Sequence, residues 1–235
     1  MPVSLSVADF KATNAVCELR YENAYLIYDR TGQVCHEARA FYTNCNVVTA
    51  SPNQTIFQSD EGAFALELSQ CRFSTNRPDA SLEKFAGHCK TFFDSVTIHL
   101  DVRVFTRVGL RITFRKDFKD LEEAKAVLNS LKLVNLRAEE RFGAAPEPHE
   151  VFLRWEGAQV GAMLRLKAES GKIDIILPPE LEAEKSEIHK SFNGLILDVD
   201  YYTVAPVERS QLDASAWILR SVRTIRKNID TILGK

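Results

Sequence analysis

"RVFTRVGLRITFRK", residues 103–116, sets an arginine at every fourth position: Arg103, Arg107, Arg111 and Arg115. A four-residue period fits a helix face and a strand face equally, because residues i and i+4 share a side in both. The residues between them decide. Val102, Val104, Val108, Leu110, Ile112 and Phe114 fill the even positions, Thr106 alone excepted. β-branched and aromatic side chains dominate, as strands prefer; a helix would spread them around its circumference. The stretch predicts a strand with an apolar even face and a basic odd face, bent or bulged at Gly109.

The same division recurs on neighbouring segments. "AVCELRYEN" (15–23) puts Cys17, Leu19 and Tyr21 on one side and Glu18, Arg20 and Glu22 on the other. Glu150, Arg154 and Glu156 share a face, as do Arg165, Lys167 and Glu169, and then Asp198 with Asp200. "QTIFQS" (54–59) and "AFALELSQCRFS" (63–74) flank Asp60-Glu61-Gly62 and read as a hairpin. "EVFLRWEG" and "VGAMLRLKAES" read as a second hairpin, "KIDIIL" as a short strand ending at Pro178-Pro179, and "GLILDVDYYTV" as a strand. Residues 24–50 predict short strands around a Thr31-Gly32 turn, and "LEAEKSEIHKSF" predicts one or two helical turns.

Three helices have a clear period. Leu82, Phe85, Cys89, Phe92 and Val96 mark one, "DLEEAKAVLNSLKL" (120–133) opens with an Asp cap, and Ile218, Val222, Ile225, Ile229 and Ile232 mark a long terminal one. The expected fold is α+β: antiparallel sheet with one charged face, backed by long helices. Residues 62–96 and 194–229 share the order glycine, strand, proline-containing loop, long helix. That outline predicts two similar halves, 1–140 and 149–235, joined by the Gly/Ala/Pro-rich segment 141–148, through duplication or a shared supersecondary motif.

Composition bounds the function. The 235 residues are 45% hydrophobic with a formal net charge of −2, so no global basic excess advertises nucleic acid. The start, "MPVSLSVADFKATNAV", lacks the basic and apolar regions of a signal peptide, and no apolar run nears the roughly 20 residues of a membrane helix. The five cysteines form no C-x-x-C and point to a reducing cytoplasm. Cys35-His36, His88-Cys89 and Cys45 lack metal-ligand spacing, and Cys17, Cys71 and Cys89 fall on apolar-periodic segments. Neither metal nor cofactor is expected. No G-x-S-x-G, phosphate loop or H-E-x-x-H occurs, which weighs against an enzyme.

Three uses of the charged face remain. Cross-strand ion pairing on a wet surface is the structural one. A second is polyanion binding, since arginine's planar fork suits phosphate; Tyr202 and Phe105 are the candidates for base stacking, and the interspersed acids weaken the field. A third closes the strands into a tunnel in which arginines hold a triphosphate and carboxylates a divalent cation. "ELRYE" and "DVD" look like the acidic strands of the triphosphate tunnel metalloenzymes, but Arg20 stands at the second acidic position of that motif and Glu22 at its lysine.

"RVGLRITF" also resembles a family of bacterial proteins of similar length, unevenly scattered among genomes. That family carries a mid-chain R-x-G-L-R-Y motif and a C-terminal acidic strand followed by a long helix. Arg107, Gly109, Leu110 and Arg111 match, and Ile112 replaces the aromatic; "LILDVDYY" and the terminal helix match the rest. The resemblance implies a bacterial, cytoplasmic, single-chain protein without assigned activity, and its scatter suits a defence or toxin–antitoxin accessory role. The reading is a non-enzymatic binding protein contacting a protein or polyanion partner through Arg103, Arg107, Arg111, Arg115, Asp198 and Asp200. The Ile218–Ile232 seam is a core face or a homodimer contact, and amphipathic terminal helices favour core.

Overall fold

The alternation in the sequence is realised in one large antiparallel sheet. The computed structural model describes residues 5–41, 46–51, 53–59, 61–79, 81–133, 148–175 and 188–234. In chain order the elements are β1 (Lys11–Arg20), α1 (Ile27–Ala38), β2 (Asn46–Ser51), β3 (Gln54–Ser59), β4 (Gly62–Glu67), β5 (Gln70–Thr75) and α2 (Leu82–His99). Then come β6 (Val104–Phe105), β7 (Arg107–Asp117), α3 (Leu121–Ser130), β8 (Glu150–Glu156), β9 (Val160–Ile175), β10 (Ile188–Thr203), β11 (Val207–Glu208) and α4 (Ala214–Ile232). Nine strands run in the order β2-β3-β4-β5-β1-β7-β10-β9-β8, and β6 pairs with β11 in a separate ribbon. The fold is α+β.

The apolar side of the central strands faces the helices. Leu19, Cys71, Phe73, Val108, Leu110, Leu166, Leu195 and Leu197 are fully buried. Phe92 of α2 packs against Phe64 and Phe73, and Trp217 of α4 stacks on Tyr201 of β10. Each large side chain buried this way stabilises the fold by roughly 1.5–3 kcal/mol relative to exposure. Ser81, Asp120 and Asp213 cap α2, α3 and α4 by accepting from the N–H three residues on. The Ile218, Val222, Ile225 and Ile229 seam is buried within this core. No helix among the described residues is long and apolar enough to cross a membrane.

Several expectations are corrected. Residues 27–38 form α1, not strands. Leu26 gives it no side-chain cap, and the Thr31-Gly32 pair lies inside a helix whose Ile27, Val34, Cys35 and Ala38 are buried in the core. "AFALELSQCRFS" is two strands, β4 and β5, whereas its counterpart "LILDVDYYT" is continuous within β10. Residues 172–175 belong to the long β9, and Ile188–Phe192 are strand rather than helix, since β9 and β10 pair in unbroken register from Ile175/Ile188 to Val160/Thr203. The bulge is on β1 between Ala12 and Asn14, and Gly109 pairs regularly with Glu18 and Tyr202. Residues 141–147 of the expected linker, residues 176–187 and Cys45 lie outside the described residues. The strands on either side of 141–148 belong to one sheet, joined where β7 meets β10.

Candidate binding face

β7 decides which side chains reach the open face. Val108, Leu110, Ile112 and Phe114 point into the core, so Arg107, Gly109, Arg111, Thr113 and Arg115 point away from it. The parity does not extend upstream. Phe105 is buried while Val104 is exposed, because Thr106 interrupts the strand with its N–H donating to the Arg20 carbonyl. Arg103 therefore lies apart from the face; its partner is Asp101, 3.1 Å away, and both are exposed. Three of the four arginines share the surface, and Phe105 offers no platform for a base.

Arg107 is the hub. Its Nη1 donates to Glu18 Oε1 at 2.9 Å, and its Nη2 donates to both Asp200 oxygens at 2.8 and 2.7 Å. The guanidinium carbon lies 4.6 Å from the centre of the Tyr202 ring, a cation–π distance. Glu18 also accepts from Arg20 Nε at 2.6 Å. These partners come from β1 and β10, the strands that flank β7. Gly109 exists for this arrangement rather than for a bend: a Cβ there would lie 2.6 Å from Arg107 Nη1. Burial raises the Asp200 pKa above its ordinary value; the Arg107 charge and hydrogen bonds pull it down, and the Glu18 charge pushes it up.

Tyr202 is itself seated on a glycine. It pairs with Gly161 of β9, where a Cβ would come 2.7 Å from the ring. Phe192 covers its partner Gly171 in the same manner, and Arg115 lies 5.3 Å from the centre of that ring. Aromatic side chains laid over cross-strand glycines restore packing that glycine lacks.

Arg111 is held differently. Its Nε and Nη2 grip the Asp198 carboxylate while 58% of its side chain stays exposed. Arg115 pairs with Asp117 of its own strand at 2.9 Å. Further out, Arg165 meets Glu150 at 2.9 Å and Lys167 meets Glu169 at 2.8 Å. The expected pairing of opposite charges over the sheet is therefore present, and each exposed pair contributes about 0–1 kcal/mol.

A groove of about 330 Å³ lies at the centre of this face. Four arginines (Arg20, Arg72, Arg107, Arg111) and two carboxylates (Glu18, Asp200) line it, with Val16 among the remaining residues. A smaller hollow of about 230 Å³ lies past Arg111 toward Arg165, Lys167 and Asp198. Of the residues singled out by sequence, Arg107, Arg111 and Asp200 meet at the groove. Asp198 sits behind Arg111, Arg115 sits at the far end, and Arg103 is elsewhere. Arg20 and Arg72 were not singled out. The signal for Arg72 was its place between Cys71 and Phe73, both buried, which forces its side chain to the opposite face. No group of three or more His, Cys, Asp or Glu side chains is arranged to hold a metal among the described residues. No protein-family model matches the chain, and no curated protein matches it significantly.

Proposed function

We propose that this is a non-enzymatic binding protein of the reducing cytoplasm that contacts a protein partner through the open face of its sheet. The observation that carries the reading is the face itself, where guanidinium and carboxylate groups alternate across β5, β1, β7, β10 and β9 around the Arg107 hub. A mixed-sign surface of this kind suits the equally mixed surface of a protein, where complementary charges fix register and exclude wrong partners. A polyanion would meet a carboxylate at most steps. The two stacking candidates of the sequence, Phe105 and Tyr202, are also spent, Phe105 in the core and Tyr202 beneath Arg107. A closed tunnel enzyme fits less well, because β2 and β8 stand at opposite ends of the strand order and Glu18, Asp198 and Asp200 each bond an arginine. The buried thiols of Cys17, Cys71 and Cys89 suit a reducing compartment.

The test is affinity capture from the host lysate with three baits: wild type, Arg72→Glu/Arg111→Glu, and Arg223→Glu on the exposed side of α4. A partner held by wild type and by the α4 variant, but lost by the face variant, supports the proposal. A partner retained by the face variant overturns it. Steeply salt-dependent RNA binding that needs the same arginines would replace the protein partner with a polyanion.

A further inference from the structure

We infer that the central groove is a phosphoryl-binding site, an inference that rests on the open face being the contact surface. The lining residues differ in how many donors they have left. Arg107 spends Nη1 on Glu18 and Nη2 on Asp200, lies over the Tyr202 ring, and is only 17% exposed. Arg20 spends only Nε, on Glu18, and Arg111 spends Nε and Nη2, on Asp198. The Arg72 side chain makes no hydrogen bond among the described residues and forms a loose ion pair with Glu67 at 3.6 Å. Three solvent-facing guanidinium groups with unspent N–H donors therefore border one groove, and the backbone register explains why. Arg72 stands opposite Glu18, Arg20 is two residues further along β1, and Arg111 stands opposite Val16. Neighbouring strands lie roughly 4.8 Å apart, so the long side chains converge over Val16 and Glu18.

Donor number and size select the ligand class. Four arginines and two carboxylates line the groove, and Asp198 and Glu67 offset Arg111 and Arg72 from beside it, so the site selects by its unspent N–H donors rather than by net charge. A carboxylate offers two acceptor oxygens. A phosphate monoester carries roughly −1.5 to −2 at neutral pH and offers three acceptor oxygens. Arginine forks match those oxygens in planar pairs. A groove of about 330 Å³ reaches the lower end of the range for small-ligand sites. The phosphoryl group could be borne by a side chain of the protein partner or by a free small molecule; the arginine chemistry is common to both.

Calorimetric titration at near-physiological salt tests this with inorganic phosphate, a phosphoserine peptide, a nucleoside monophosphate and acetate. Arg20 and Arg72 are about half exposed, with side chains 51% and 42% accessible, so Arg20→Gln and Arg72→Gln leave the fold intact. Wild type is expected to bind phosphate saturably and acetate not at all. Each substitution should weaken phosphate binding about tenfold, the loss of one charge-assisted hydrogen bond. Arg154→Gln, on β8 outside the groove, should change nothing. Tighter binding of the phosphopeptide assigns the phosphoryl to a protein partner, and tighter binding of the nucleotide assigns it to a free ligand. No saturable phosphate binding by wild type, or an equal loss in Arg154→Gln, overturns the inference. If phosphate fails while partner capture still depends on Arg72 and Arg111, this inference falls alone and the contact surface stands.

Discussion

At each end of the open face of β7 an arginine lies over an aromatic ring that in turn covers a glycine of β9: Arg107 over Tyr202 and Gly161, Arg115 over Phe192 and Gly171. The two assemblies share a local design but not a role. Arg107 takes its carboxylates from the two flanking strands and is 17% exposed, while Arg115 takes its carboxylate from Asp117 on its own strand, itself 62% exposed. An arginine that bonds across strands couples β1, β7 and β10. One that bonds along its own strand couples nothing. The difference should appear first in stability. Arg107→Ala leaves Glu18 and Asp200 poorly solvated and without their shared cation, which should cost about 2–3 kcal/mol after allowing for their partial exposure. Arg115→Ala should cost at most about 1 kcal/mol. Urea denaturation of both variants measures this, and equal losses would mean that cross-strand pairing does not set Arg107 apart.

The glycines sharpen the comparison at a smaller scale. In Gly109→Ala the new Cβ meets a guanidinium pinned from two sides, so displacement should cost about 1–2 kcal/mol. In Gly171→Ala the Cβ would meet Phe192 Cε1, but that half-buried ring can swing outward, so the cost should stay below about 1 kcal/mol. A double-mutant cycle separates sterics from other effects: in an Arg107→Ala background the Gly109→Ala penalty should vanish. A penalty that persists would mean that the backbone at 109, and not the side chain above it, requires glycine.

These contrasts also show what a sequence can carry. The even–odd division of 107–117 was legible because period-two burial is written in the residues themselves, and the apolar faces of β1, β5 and β10 followed by the same rule. Partnership was not legible. Arg107 meets Glu18 across 89 positions of chain and Asp200 across 93, and only the register of β1 and β10 against β7 brings them together. Gly109 illustrates the cost of lacking that register. Alone it signals a bend, and in the sheet it makes room for a side chain two residues away. Arg103 fails for the opposite reason, since its period continued past Thr106 where the strand did not. α1 was missed because Thr31-Gly32 reads as a turn by itself, whereas tertiary burial of Ile27, Val34, Cys35 and Ala38 holds the helix together.

The smallest expected effect asks which force governs the hub. Asp200 is subject to two opposed terms, burial against it being charged and Arg107 in favour, and burial prevails, so its folded pKa lies above the ordinary value of 3.8. The sign follows from proton linkage. Below 3.8 the carboxyl is protonated in both folded and unfolded chains and contributes no penalty. As pH rises, the unfolded chain releases this proton first, so folding loses stability until the folded pKa is passed. In Asp200→Asn that titration is absent. The stability of wild type minus that of Asp200→Asn should therefore be greatest in acid and shrink as pH rises, levelling off above the folded pKa. Urea midpoints from about pH 3 to about pH 7 measure it. A difference that instead grows with pH would mean that Arg107 outweighs burial. The hub would then be a net attractive clamp on ionised Asp200, and the contrast with Arg115 would rest on electrostatic strength rather than on the cost of leaving buried charges unpaired.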